Sequence, residues 1–173
     1  MTSAVKGVLI RPNGDVYINH LARFSDKFVL PTDPIFHDVR PTEMSLRLNL
    51  PLLVQRLNPL EIVPNDAYHK NTPATILQTR PCTGQCLYDW DRKIGVVLVV
   101  RTDGKPLSCL HLEAMWKFNS MLLQDSNVIA SWEIGVQPKV GRKNFEKFWQ
   151  EYRSKQIAAG REEFESLGSP YDI

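Results

Sequence analysis

Eight of the chain's twelve prolines, Pro31, Pro34, Pro41, Pro51, Pro59, Pro64, Pro73 and Pro81, fall between residues 31 and 81. Each lacks a backbone N–H donor and biases the residue before it away from helical dihedrals. No long helix can cross this stretch, so its apolar residues must be buried by short extended segments, single helical turns and loops. Within it, Met44, Leu46, Leu48 and Leu50 alternate with Ser45, Arg47 and Asn49, and this period of two predicts a strand over 43–50. Pro51 followed by Leu52, Leu53, Val54 and Leu57 predicts a short helix, because proline is tolerated in a first helical turn. Residues 60–63 and 74–79 are predicted as further short strands.

Outside the proline-rich stretch the periodicity is clearer. Two β-rich runs, 5–11 and 15–21, flank Asn13-Gly14, the dipeptide best suited to a two-residue hairpin turn, and predict an N-terminal β-hairpin. Ile94-Gly-Val-Val-Leu-Val-Val100 is apolar on both faces and ends at the turn signal Thr102-Asp103-Gly104-Lys105-Pro106, as a central, doubly covered strand would. Leu112, Met115, Trp116, Met121 and Leu122 predict a helix with Glu113 in its first turn, where the helix dipole favours an anion. Residues 128–136 predict another strand. Phe145, Phe148, Trp149 and Tyr152 then fall at i, i+3, i+4 and i+7 of a helix beginning near Asn144, a competent N-cap, and stopping at Gly160.

This order predicts one α+β domain over residues 1–161: a largely antiparallel sheet with an N-terminal β-hairpin and two C-terminal helices packed on it, followed by an acidic tail over 162–173. With 173 residues, 43% of them hydrophobic, the chain can bury a core without disulfides or metals. Its longest apolar run is far shorter than the ~18–20 residues a bilayer span needs, so no membrane partner is expected. The opening residues carry no basic, apolar leader, which makes a cytoplasmic, reducing location the expectation.

Cys82-Thr-Gly-Gln-Cys86 and Cys109-Leu-His111 together offer three sulfurs and one imidazole, the donor types of a structural zinc site. On an extended run, Cys109 and His111 would project to the same face. Three residues between Cys82 and Cys86, rather than the usual two, count against zinc, and buried reduced thiols account for the same residues. A thiol nucleophile, Cys86 or Cys109 with His111 as base, would require hydrogen-bond geometry that adjacency does not supply. Asp89 and Asp91 flank Trp90 and read as solvated turn acids beside Arg92 and Lys93, while His20, His37-Asp38 and His69 have no evident partners. No phosphate-binding loop, dinucleotide fingerprint, hydrolase elbow or zincin motif is present in the sequence.

Charge is asymmetric only near the C-terminus. The whole chain carries a formal net charge of +2, yet residues 139–161 hold seven Lys or Arg against two Glu. Arg142, Lys143, Lys147, Arg153 and Lys155 are therefore candidate contacts for an acidic partner or a phosphate backbone, although Glu162, Glu163 and Glu165 follow at once and would repel phosphate. The expected function is a protein-interaction or structural module without catalytic activity, with the proline-rich middle and the aromatic helix meeting another protein or a second copy. A zinc-dependent binder or enzyme centred on Cys82, Cys86, Cys109 and His111, or a weak nucleic-acid binder using the basic helix, is the alternative. No cofactor is expected apart from zinc under that alternative.

Overall fold

The computed structural model describes residues 4–12, 24–29, 36–57, 71–81, 95–125 and 141–172. They form a single α+β domain built on a five-stranded sheet: β1 Val5–Ile10, β2 Phe24–Val29, β3 Phe36–Pro41, β4 Leu52–Leu57 and β5 Val97–Arg101. The order across the sheet is β2-β1-β5-β4-β3, and every neighbouring pair is antiparallel. The N-terminal antiparallel pair is β1 with β2, in a register that joins Val5 to Val29 and Ile10 to Phe24, so the partner of β1 is 24–29 and not the expected 15–21; β5 takes the other edge of β1. The expected Asn13-Gly14 turn and the 15–21 strand lie outside the described residues, as do the strands expected over 60–63 and 128–136. β5 is central, as its β-branched, wholly apolar run requires, and is buried at all five positions. Gly7 permits that intimacy, because a Cβ there would lie 2.7 Å from both the Val99 carbonyl oxygen and Val100 Cγ1.

Three expectations in the proline-rich stretch are overturned. Residues 43–48 form helix α1 (Glu43–Leu48), not a strand. Thr42 caps it by accepting from the Ser45 N–H at 2.7 Å, Glu43 pairs with Arg47 one turn on, and Asn49 closes it at φ 53°. Met44 and Leu48 enter the core while Leu46 stays 71% exposed, so the alternation of leucines was a coincidence of composition. Leu52–Leu57, expected as a helix, is strand β4, with Leu52 and Val54 buried against the helices and Leu53 on the opposite side. Residues 72–77, expected to lie largely in a strand, form helix α2 (Thr72–Leu77), whose cap Asn71 accepts from the Ala74 N–H and donates to the carbonyls of Ile10 and Gly95.

Two longer helices complete the fold, α3 (Cys109–Gln124) and α4 (Arg142–Ala158), followed by a 3₁₀ turn over Glu162–Phe164. α3 starts three residues before the expected point, capped by Ser108, which puts Glu113 in its second turn. Gly141, not Asn144, is the N-cap of α4. Gly160 ends that helix as expected, at φ 88°. α3 lies on β1 and β2, α4 packs on α3, and the main core fills the space between them and the inner sheet face of Val8, Ile10, Leu52, Val54, Val97 and Val99.

Candidate functional site

The zinc quartet is not assembled by the described residues. Cys82 and Cys86 lie outside them. Cys109 and His111 occupy the first turn of α3 rather than an extended run, so their side chains leave the helix about 200° apart. The Cys109 backbone N–H donates to Asp26 Oδ1 at 2.8 Å, and Lys6 pairs with the same carboxylate at 3.0 Å. Burial, with the Asp26 carboxylate adding to it, pushes the Cys109 thiol up to about 11, the opposite of what a nucleophile or a thiolate ligand needs. For Asp26 burial works toward a higher value, but the Cys109 N–H and Lys6 outweigh it and hold the carboxyl below its ordinary value.

His111 is fully buried against the Trp149 indole, with ring centroids 5.1 Å apart, and its Nε2 lies 2.8 Å from the Gly168 carbonyl oxygen. As the donor tautomer it fixes a loop instead of serving a thiol as base. Burial holds its imidazole below the ordinary histidine value, only partly countered by the Gly168 contact. Among the described residues no group of three His, Cys, Asp or Glu is arranged to hold a metal ion. Asp89, Asp91, His20 and His69 fall outside the described residues, and His37 and Asp38 lie on edge strand β3, whose register with β4 slips between His37 and Arg40.

The basic face of α4 is divided. Arg153 donates to the carbonyls of Phe164 (2.9 Å), Leu167 (3.0 Å) and Glu165 (2.6 Å). The guanidinium of Arg142 stacks 4.0 Å over the Tyr171 ring and pairs with Glu146 at 3.6 Å. Lys143, Lys147 and Lys155 stand exposed. Two of the five candidate cations thus hold the C-terminal segment in place, and it is that segment's backbone carbonyls, not its three glutamates, that meet Arg153. The aromatic stripe faces the fold: Phe145 and Trp149 are fully buried and Phe148 and Tyr152 half-buried.

The sequence reading missed the carboxylate that ties α3 to α4. Glu113 accepts from Arg161 through both oxygens, at 2.5 and 3.0 Å, and from the Tyr152 hydroxyl. Burial and this carboxylate raise the tyrosine's value, and Glu113 raises that of Arg161. Only spacing across two helices joins these residues, and no local motif marks them.

One open cleft, of about 260 Å³, runs between α4 and the C-terminal segment along Trp149, Gln150, Arg153 and Glu165, and another is on the other side of the sheet. There Leu9, Val29, Leu53, Leu98 and Val100 form a second apolar cluster, with Leu9 paired to Leu98 and Leu53 to Val100 in the ladder. Every described helix packs on the opposite face, yet Val29, Leu98 and Val100 are buried here as well, with Leu9 and Leu53 half-buried. Beside this cluster is a cleft of about 280 Å³ lined by Val5, Val29, Leu53, Gln55, Val100, Arg101, Thr102 and Gly104. Its described lining carries no thiol, no imidazole and no carboxylate. Among the described residues no helix is long and apolar enough to cross a membrane. No family model, no curated protein and no solved structure matches the chain.

Proposed function

We propose that this chain is a protein-interaction or structural module without catalytic activity, and that it meets another protein through the cleft beside the far face of its sheet. The cleft on that face is the observation that carries the reading. At about 280 Å³ it is just below the ~300–1,000 Å³ range of small-molecule sites and has room for one or two apolar side chains of a partner. Half of its lining is valine and leucine, with Gln55, Arg101 and Thr102 supplying polar groups, the combination of apolar floor and polar edge found in protein interfaces. The chemistry-bearing side chains described above, Cys109, His111, Glu113 and Arg161, are meanwhile engaged in contacts that join elements of the fold.

Leu53 is the residue to change, because it lines the cleft from β4 and is only half-buried. Leu53→Arg is expected to abolish co-purification of the partner from the native cell while leaving the thermal transition within a few degrees of wild type. A partner retained equally by wild type and Leu53→Arg would place the contact elsewhere, and wild-type protein that carries no partner at any stage of a cross-linked purification would remove the reading.

A further inference from the structure

The end of the chain is held by donors that read its backbone. Arg153 takes the carbonyls of residues 164, 165 and 167, His111 on α3 takes that of Gly168, and Arg101 on β5 takes that of Pro170 at 2.6 Å. Five carbonyl oxygens within seven residues are thus satisfied by side chains from three different elements. An aromatic anchor sits at each end. Phe164 is fully buried between the rings of Trp149 and Tyr152, with centroids 6.1 and 6.0 Å away. Tyr171 donates to the Leu48 carbonyl at 2.5 Å beneath Arg142. Main-chain hydrogen bonds flanked by side-chain pockets are how proteins bind peptide segments in grooves, and here the bound segment is covalently attached.

The attachment is the turn at residues 159–161, exposed at 159 and 160. Gly160 has φ 88°, and a Cβ built on it would meet nothing within 4 Å. A different path for the chain at Gly160 would therefore meet no packed neighbour there, while half-buried Arg161, bonded to Glu113, marks where the held segment begins.

We propose that residues 162–172 are a tethered peptide ligand and that the same groove takes this strap from a second copy, so that two chains pair by exchanging their C-terminal segments. The occupant is argued from what already fills the groove: the strap of a second copy carries the same two aromatic anchors and the same carbonyls at the same spacing. Exchange reproduces the contacts of residues 162–172 with the groove and leaves only those of the connecting turn to be remade, which is what makes swapping a low-cost route to a dimer. The inference rests on the interaction reading only in taking a protein as partner, since the groove lies on the helical side of the sheet and the cleft on the other, with Arg101 alone touching both.

The test is complementation between a damaged strap and a damaged groove. Phe164→Ala spoils the strap and leaves the groove intact, whereas Arg153→Ala spoils the groove and leaves the strap intact. Mixed at high concentration, the two are expected to form a heterodimer in native mass spectrometry that melts several degrees above either variant alone, because one intact strap then meets one intact groove. A mixture that melts as the sum of two separate variants overturns the proposal. If either variant fails to fold, wild-type chains labelled with light and heavy isotopes serve instead: a mixed-mass dimer whose share grows when Gly160 is deleted supports exchange, because a shortened connection strains closure onto the same chain, and a chain that stays monomeric at every concentration overturns it. A dimer broken by Leu53→Arg yet indifferent to Phe164→Ala would put the second copy in the sheet cleft, sinking the exchange and sparing the functional reading.

Discussion

Cys109 and Glu113 sit one helical turn apart on α3 and show how environment decides what a side chain can do. The Cys109 thiol, pushed up to about 11 by burial and Asp26, is almost wholly protonated at neutral pH. Alkylation by iodoacetamide at pH 8 should therefore be at least tenfold slower at Cys109 than in the urea-unfolded chain, read by peptide mass spectrometry, and equal rates would contradict the described environment. Glu113, whose side chain is 5% exposed, holds Arg161 and Tyr152 together. Glu113→Gln keeps the shape and removes the charge, so it should cost about 1–3 kcal/mol in urea unfolding, the range for hydrogen bonds to charged groups, lowered by the partial exposure of Arg161. An unchanged midpoint would show that the cluster contributes nothing. Neither role was legible in the sequence, because it depends on partners 39 and 48 residues away for Glu113 and 83 away for the Cys109 N–H. The residue types alone pointed to zinc or thiol chemistry.

Elements carried by sustained periodicity were readable: central β5, the aromatic stripe of α4 and its stop at Gly160. The six-residue elements were not. Thr42, Asn49 and Pro51 are start and stop signals for α1, and Asn71-Thr-Pro73 marks the start of α2, but the alternating leucines of 44–50 favoured a strand because six residues offer fewer than two helical turns to compare. The two readings of α1 differ in a measurable way. In a strand Leu46 and Leu48 would share a face, whereas in the helix Leu46 is 71% exposed and Leu48 fully buried. Leu46→Ser should change stability by no more than about 0.5 kcal/mol, while Leu48→Ala should cost about 2–5 kcal/mol. Similar losses at both positions in chemical denaturation would restore the strand.

At the scale of the molecule, the C-terminal segment that reads in sequence as an acidic tail packs its Phe164 into the main core. Its attachment responds to alkali. Burial raises the values of both Tyr152 and Tyr171 above the ordinary 10.0, with Glu113 adding to the effect at Tyr152, so the unfolded chain releases these protons first. Their contribution is complete below pH 10 and is lost as pH rises past it. Asp26 and Asp103 act in the opposite sense. Against burial, the Cys109 N–H and Lys6 hold Asp26 below 3.8, and the Arg101 hydrogen bonds do the same for Asp103, so stability from these two is complete above about pH 4 and falls away under acid. The thermal midpoint should thus form a plateau bounded on both sides, and Tyr171→Phe should flatten the alkaline fall. A midpoint independent of pH from 9 to 11 in the wild type would contradict the raised tyrosines.

The far sheet face remains the surface on which the functional account stands, and site-specific photo-cross-linking in the native cell tests it most directly. A photoreactive residue at Gln55, on the wall of the cleft, should yield a discrete protein adduct, whereas one at exposed Gln124, at the end of α3, should not. Adducts of equal yield at both positions, or none at Gln55, would contradict the assignment of this face to a protein partner.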